Sequence, residues 1–400
     1  MYKVARTLWL ALFLVACGGG GSASSGGSPP AAGPAPAEIL AAELQGLALT
    51  EFYETSYAAL LYRSPESIIW QALTGVYPLD EVGLDDISAG YQRDTYPMYE
   101  VVLAALRGYD RAGLSAADRL TYDFYEWYLQ DAVDARAFLY YSFPAAFNFA
   151  GQHTGTETFF TEIHPLRTVE DANDYITRLR DVPRKFDNLI EFLDLQSGAG
   201  IIEPRLTIGW SLFGIDRIAD ATAASVSYYT AFRDKLDALP GLTDGEQQAL
   251  LNDALVATRD YVIPAYRSLR TRLQQLRTLA PGTIGVSQYP LGREYYEYML
   301  RHRTTTDLTA AQIHQLGLDH LQRIHAEMRE IFDQLGYPQN ETLPQLFQRV
   351  EQDGGVIPAA DVKATYEAII DAAEAELDAA FDIFPSADVV VAEDEFGGFY

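Results

Sequence analysis

From Glu38 onward the chain is punctuated by helix start and stop signals, and this restricts the possible folds more than any other feature. Ser64-Pro65-Glu66 places a cap residue before a proline at the first helical position. Ser115-Ala116-Ala117-Asp118 resembles a capping box, and the pairs Thr168/Asp171, Thr243/Glu246 and Thr309/Gln312 repeat it. Each starts a run of apolar residues at helical spacing, whereas alternation at strand spacing is almost absent. The run from Thr243 to about Leu279 contains Pro264, which removes a backbone donor and predicts a bend near Tyr261. Ala310 to Leu335 carries Ile313, Leu316, Leu321, Ile324, Met328, Ile331 and Leu335 on one side, the pattern of a core helix with a polar back. Two glycine-containing stretches, Asn148 to Pro165 and Asp194 to Gly214, have the look of functional loops, the alternative being ordinary surface excursions. Asp388-Val389-Val390-Val391-Ala392-Glu393 has the only strong strand composition. The expectation is a mainly α protein, a large multi-helix bundle-like body with a minor strand element near residues 388–393. No fixed-period repeat supports a solenoid.

The amino terminus is of another kind. Lys3 and Arg6 precede a short apolar run ending in Leu14-Val15-Ala16-Cys17. This resembles a bacterial lipoprotein signal, too short for a permanent span of about 20 residues. It implies cleavage before Cys17, acylation of that residue, and an envelope protein whose partner is the lipid bilayer. Residues 18–37 hold almost only Gly, Ser, Ala and Pro and form a flexible tether. The expected organisation is a signal peptide over 1–16, a lipidated cysteine and linker over 17–37, and a helical domain over 38–400, incomplete at its carboxy-terminal end.

Charge and cysteine content narrow the function. With 29 Lys+Arg against 56 Asp+Glu the formal net charge is -27, and losing residues 1–16 with Lys3 and Arg6 makes it -27 - 2 = -29. So acidic a surface repels phosphate backbones and argues against a nucleic acid partner. A hydrophobic content of 48% with 26 Tyr and 19 Phe argues equally against an acidic disordered chain. The single cysteine excludes an intramolecular disulfide framework and leaves His and carboxylates as metal ligands. None of the 6 histidines is followed by Glu, so the zincin pattern is absent. His314 and His325 share a helix face but lie about 16 Å apart along the axis at a rise of about 1.5 Å per residue, and His320 points elsewhere. No metal site is expected in this chain. Gly209-Trp210-Ser211-Leu212-Phe213-Gly214 has one residue too many for a nucleophile elbow, no Walker A pattern occurs, and catalytic residues are unassigned.

Tyr289-Pro290-Leu291-Gly292-Arg293-Glu294-Tyr295-Tyr296, then Thr304-Thr305-Thr306-Asp307-Leu308-Thr309 and Ile313-His314-Gln315-Leu316-Gly317-Leu318, resemble the central signature of the bacterial domain of unknown function 885 family. Arg63-Ser64-Pro65-Glu66, Leu114 to Leu120, His164-Pro165, Asp174 to Leu179 and Ile263-Pro264-Ala265-Tyr266 extend the resemblance from about residue 45 to the end. The resemblance implies a large helical, exported or lipid-anchored protein similar to zinc-dependent peptidases of the gluzincin type. Its metal motif, of His-Glu-x-x-x-Gly-His-His type, lies beyond the valine-rich segment. Zinc is therefore expected of a full-length member and not of these residues, and the chain is either a piece of a longer protein or a zinc-less remnant. Two functions follow: scaffold and substrate cleft of a membrane-anchored zinc peptidase that hydrolyses peptides only when complete, or a non-catalytic lipoprotein that binds a peptide or another small ligand. Polar groups near a helix amino terminus suit a carboxylate or peptide backbone, so Tyr296, Thr305 and His314 are the candidate cleft residues. The competing reading makes the threonines caps and packs Tyr295 or Tyr296 in the core.

Overall fold

The computed structural model describes residues 34–145, 151–384, 386–387 and 389–392. Cys17 and most of the tether lie outside the described residues. Among the described residues fifteen α-helices follow one another: α1 (Pro36–Glu43), α2 (Leu49–Leu61), α3 (Pro65–Trp70), α4 (Ala89–Leu106), α5 (Ala116–Ala135), α6 (Gln152–Thr158), α7 (Val169–Gly198) and α8 (Arg205–Ala219). They continue as α9 (Ser227–Asp237), α10 (Asp244–Ala257), α11 (Ile263–Leu279), α12 (Gly292–Thr304), α13 (Ala310–Gln334), α14 (Leu343–Gly354) and α15 (Val362–Glu374). The protein is mainly helical. The chain divides into two compact units, 1–302 and 303–400.

The helix starts are where the caps put them. Ser64, Ser88 and Ser115 accept from the N–H groups of Ser67, Tyr91 and Asp118. Thr168, Thr243 and Thr309 form reciprocal capping boxes with Asp171, Glu246 and Gln312. These bonds satisfy amino-terminal donors that have no partner within the helix. Near Pro264 the chain does not break. Residues Thr258–Val262 form a π-turn that joins α10 to α11, a wider turn that accommodates the missing donor.

Three expectations are corrected. No strand occurs among the described residues, and 389–392 have no regular structure. β-branched composition needs a neighbouring strand to pair with, and none is described there. Most of the two expected loops is helical: α6 and a π-turn occupy Gln152–Ile163, and α7 runs on to Gly198, where Gly200 at φ 80° ends it. Nor is α13 a core helix. Leu316, Leu321, Ile331 and Leu335 are exposed, and among the described residues of the 303–400 unit only Phe332 and Leu346 are buried. Periodicity says which face of a helix is apolar but not whether anything covers it.

In the first unit α7 is the central element. Its buried stripe, Ala172, Tyr175, Ile176, Leu179, Val182, Phe186, Leu189 and Leu193, packs into one core with Ile215 of α8, Phe232 of α9, Ala254 of α10 and Tyr266 and Leu269 of α11. Each fully buried Leu or Phe contributes about 1.5–3 kcal/mol. A second core joins α1, α2, α4 and α5 through Leu40, Phe52, Val102, Leu106, Tyr122 and Leu129. Buried tyrosines need partners for their hydroxyls. Tyr175 donates to the Tyr228 carbonyl at 2.8 Å, and Tyr266 to the His153 carbonyl at 2.7 Å, which leaves Tyr266 to accept from Tyr228 at 2.8 Å.

The connection between α3 and α4 is strapped to α7 by charge. Lys185 lies at 2.7 and 2.8 Å from the two oxygens of Glu66, and the Glu66 and Asp85 carboxylates exchange bonds with each other's backbone N–H, both at 2.9 Å. Arg178 donates to the Gly83 carbonyl at 3.2 Å, Asp181 accepts from the Leu84 N–H at 2.8 Å and Arg184 donates to the Leu84 carbonyl at 2.7 Å. Burial and the Glu66 carboxylate push Asp85 up to about 6.

Two histidines are buried in the neutral form. His164 donates from Nδ1 to the Pro165 carbonyl at 2.7 Å and accepts at Nε2 from Arg178 at 2.8 Å. Burial first, and the Arg178 charge next, push it down to about 3. Burial alone pushes His153 down to about 4, and neither of its ring nitrogens has a hydrogen-bond partner. Both folded values lie below the unfolded value of about 6.5, so their contribution to stability is present above pH 6.5 and is lost as pH falls, at up to about 1.4 kcal/mol per pH unit for each proton. Asp85, raised, acts in the opposite direction below pH 6. Melting temperature is expected to fall as pH drops from 6.5 to 4, and His153→Leu should make that slope shallower by about one proton. Parallel slopes in the two proteins would show that His153 is not buried neutral.

Candidate functional site

Within the first unit α4, the end of α5, residues 142–144, Gln152 and α7 enclose a cleft of about 490 Å³. Its aromatic wall comes from one face of α4, where Tyr91, Thr95 and Tyr99 recur every four residues with Tyr96 beside them, and from Phe192 of α7. Burial raises the phenols of Tyr91, Tyr96 and Tyr99, which keeps their O–H groups as donors at neutral pH.

Polar groups are placed at the rim. Arg63 lies 3.3 Å over the centre of the Tyr91 ring and donates from Nε to the Thr95 hydroxyl and from Nη2 to the Tyr91 carbonyl, both at 2.9 Å. Its planar fork is thereby fixed. Asp86 accepts at Oδ1 from Asn188 at 3.0 Å and from the Ser88 N–H at 2.9 Å. Gln92 donates to the Ile87 carbonyl at 2.9 Å, and Ser142 and Gln152 complete the lining. The result combines flat apolar surface with a few fixed donors and acceptors, the usual character of a small-ligand site.

The residues expected from the sequence lie elsewhere. Tyr296, on α12 in the first unit, is 48% exposed. Thr305 and His314 belong to the second unit, and both are exposed. Thr305 has φ 53° and donates to the Thr304 carbonyl at 2.7 Å. Cys17 lies outside the described residues. In the sequence Arg63 stands out only as part of a family motif, and no motif singles out the α4 tyrosines. The Tyr91, Thr95, Tyr99 spacing was the available signal, a half-polar stripe on one helix face.

The Tyr289–Tyr296 signature proves to be a docking device. Tyr289 donates to the Ile202 carbonyl, the Pro290 carbonyl accepts from Tyr141, and the Tyr295 ring stacks on Tyr141 with centroids 4.3 Å apart. Further along α12, Tyr298 stacks on Phe138 at 5.2 Å and His302 lies 2.8 Å from Asp131. Gly292 is required for this turn, since a side chain there would meet the Val286 carbonyl oxygen at 1.9 Å.

Among the described residues no three His, Cys, Asp or Glu side chains converge to hold a metal ion. No described helix is long and apolar enough to cross a membrane.

A helical, tyrosine-rich body with a ligand-sized cleft defines the class of protein, and comparison with known proteins places it further. A family model described as "Bacterial protein of unknown function (DUF885)" matches residues 69–395. The chain belongs to that family. Its fold is similar to the crystal structure of "the putative lipoprotein from Colwellia psychrerythraea", with a TM-score of 0.77 and 17% identity, over 88% of this chain and 61% of that one. The chain thus spans about three fifths of that protein's length, and at this identity the likeness is one of fold. No curated protein matches the sequence.

Gly292→Ala is expected to lower stability by at least about 2 kcal/mol in chemical denaturation. An unchanged midpoint would show that the turn before α12 is not as tight as described.

Proposed function

We propose that this chain is the ligand-holding part of a lipid-anchored cell-envelope protein, and that the cleft beside α4 takes peptide-like ligands. The observation that carries the reading is the cleft itself. Tyrosine faces suit apolar and aromatic side chains, the phenol, Ser142 and Gln152 groups suit amides, and Arg63 suits a terminal carboxylate. The Cys17 motif and the fold shared with the Colwellia protein support the anchored placement.

The probe is the pentapeptide Ala-Ala-Phe-Ala-Ala, free and amidated at its carboxy terminus, titrated calorimetrically into the full chain. Tyr96→Leu should weaken binding about tenfold, or about 1.4 kcal/mol, with little change in melting temperature. Absence of binding at millimolar peptide, or equal affinity in the variant, would remove the cleft as a peptide site.

A second reading is favoured by the greater length of the Colwellia protein. In a longer protein that supplies a zinc motif, these residues would form the scaffold and one wall of the substrate cleft of a peptidase, with Tyr296, Thr305 and His314 facing the substrate. Tyr296→Phe or His314→Ala in such a protein should lower turnover at least about tenfold while leaving the melting temperature in place. Equal losses of stability and turnover would assign both residues to packing, and wild-type turnover would remove them from the site.

A further inference from the structure

The cleft beside α4 has a neighbour. A second cavity, also of about 490 Å³, lies within the first unit between Tyr62 at the end of α2, Pro65 of α3, residues 79–84 of the connection to α4, and Asp181 and Arg184 of α7. Asp86 and Tyr91 line both cavities, so the two meet at one shared wall.

That wall is held from several sides. Arg63 covers the Tyr91 ring at 3.3 Å, and Asp86 is fixed at Oδ1 by Asn188 at 3.0 Å and the Ser88 N–H at 2.9 Å. Beyond it, the bonds from Arg178, Asp181 and Arg184 clamp Gly83 and Leu84 to α7, and the Tyr62 hydroxyl donates to the Pro78 carbonyl at 3.3 Å. A groove built on fixed elements costs a ligand little ordering of the protein.

The two cavities differ in charge. The first carries Arg63, and the second carries Asp80, Glu81 and Asp86. None of these four forms an ion pair among the described residues. Arg184, the cation of the second cavity, is already paired with Asp181 at 2.6 Å. The carboxylates are not gathered as metal ligands are. They are spread along a cavity that also presents the Tyr62 and Tyr91 rings. An ammonium or guanidinium on a flexible apolar stem matches both features, because its stem packs on aromatic surface while its donors reach separate carboxylates.

We propose that the ligand crosses the shared wall: a peptide with an apolar or aromatic side chain in the first cavity places a basic side chain in the second. The site then prefers peptides in which lysine or arginine stands within two residues of an aromatic one. This rests on the peptide reading of the cleft given above and adds the sign of charge that the ligand carries.

The test titrates Lys-Ala-Phe-Ala-Ala and Ala-Ala-Phe-Ala-Lys into the full chain beside the parent peptide Ala-Ala-Phe-Ala-Ala, all amidated at the carboxy terminus. The better of the two lysine peptides should bind about fivefold tighter than the parent. Asp80→Asn with Glu81→Gln, both at exposed positions, should abolish that advantage and leave the affinity for the parent as it is. Asp86→Asn, which keeps an oxygen to accept from Ser88 and Asn188, should reduce the advantage. Asp371→Asn with Glu374→Gln removes the same charge from exposed positions of the 303–400 unit and should leave the advantage in place. Lysine peptides no tighter than the parent would overturn the second cavity as a cation site, while binding of the parent keeps the peptide reading. So would an advantage that survives the Asp80 and Glu81 changes, or one that falls equally with those at Asp371 and Glu374. Absence of binding by all three peptides would overturn both.

Discussion

Lys185 is 2% exposed and faces the carboxylate of Glu66, itself 7% exposed, with Asp85 bound to the same backbone turn. The buried ammonium and carboxylate are tolerated because further bonds back them: Ser64 donates to the half-buried Asp85 at 2.6 Å, and the backbone N–H groups of Glu66 and Asp85 are both taken. Removing one partner from such a group typically costs about 3–5 kcal/mol, since the others stay buried without compensation. The cleft depends on this arrangement. Asp86 and Ile87, next in sequence to Asp85, form one side of it, and Leu189 and Phe192, one and two turns beyond Lys185 on α7, form another. The ionic strap therefore sets the distance between the two sides.

The same economy explains the family signature. Tyr289, Pro290, Gly292 and Tyr295 all make contacts at the joint. They lock the start of α12 onto the segment around Tyr141 and Ile202 through carbonyl bonds, ring stacking and one close backbone approach. A motif kept in order along the chain can thus report a joint between elements rather than a reaction centre. The 303–400 unit has a different balance. It exposes Leu316, Phe347, Ile369 and Phe381 and buries few of its apolar side chains, so its helices owe their form mostly to caps and local periodicity.

Local rules made much of this protein legible. Capping boxes at Thr168, Thr243 and Thr309 and the cap at Ser115 each placed a helix start, because a cap is a bond between residues three apart and needs no tertiary context. The acidic composition is equally readable, being a property of composition alone. What failed were judgements about covering and pairing: the valine-rich segment without a strand partner, α13 without a core, and the glycine-containing stretches that the α6 and α7 helices absorb. The cleft was invisible for the same reason. Arg63, Tyr99 and Phe192 are far apart in sequence and meet only because α7 packs across α4 and the strap fixes the gap. Sequence alone determined which segments are helices, since that energy is local. Tertiary structure decided which apolar faces are buried and which polar groups converge, since those depend on contacts between residues that no spacing rule connects.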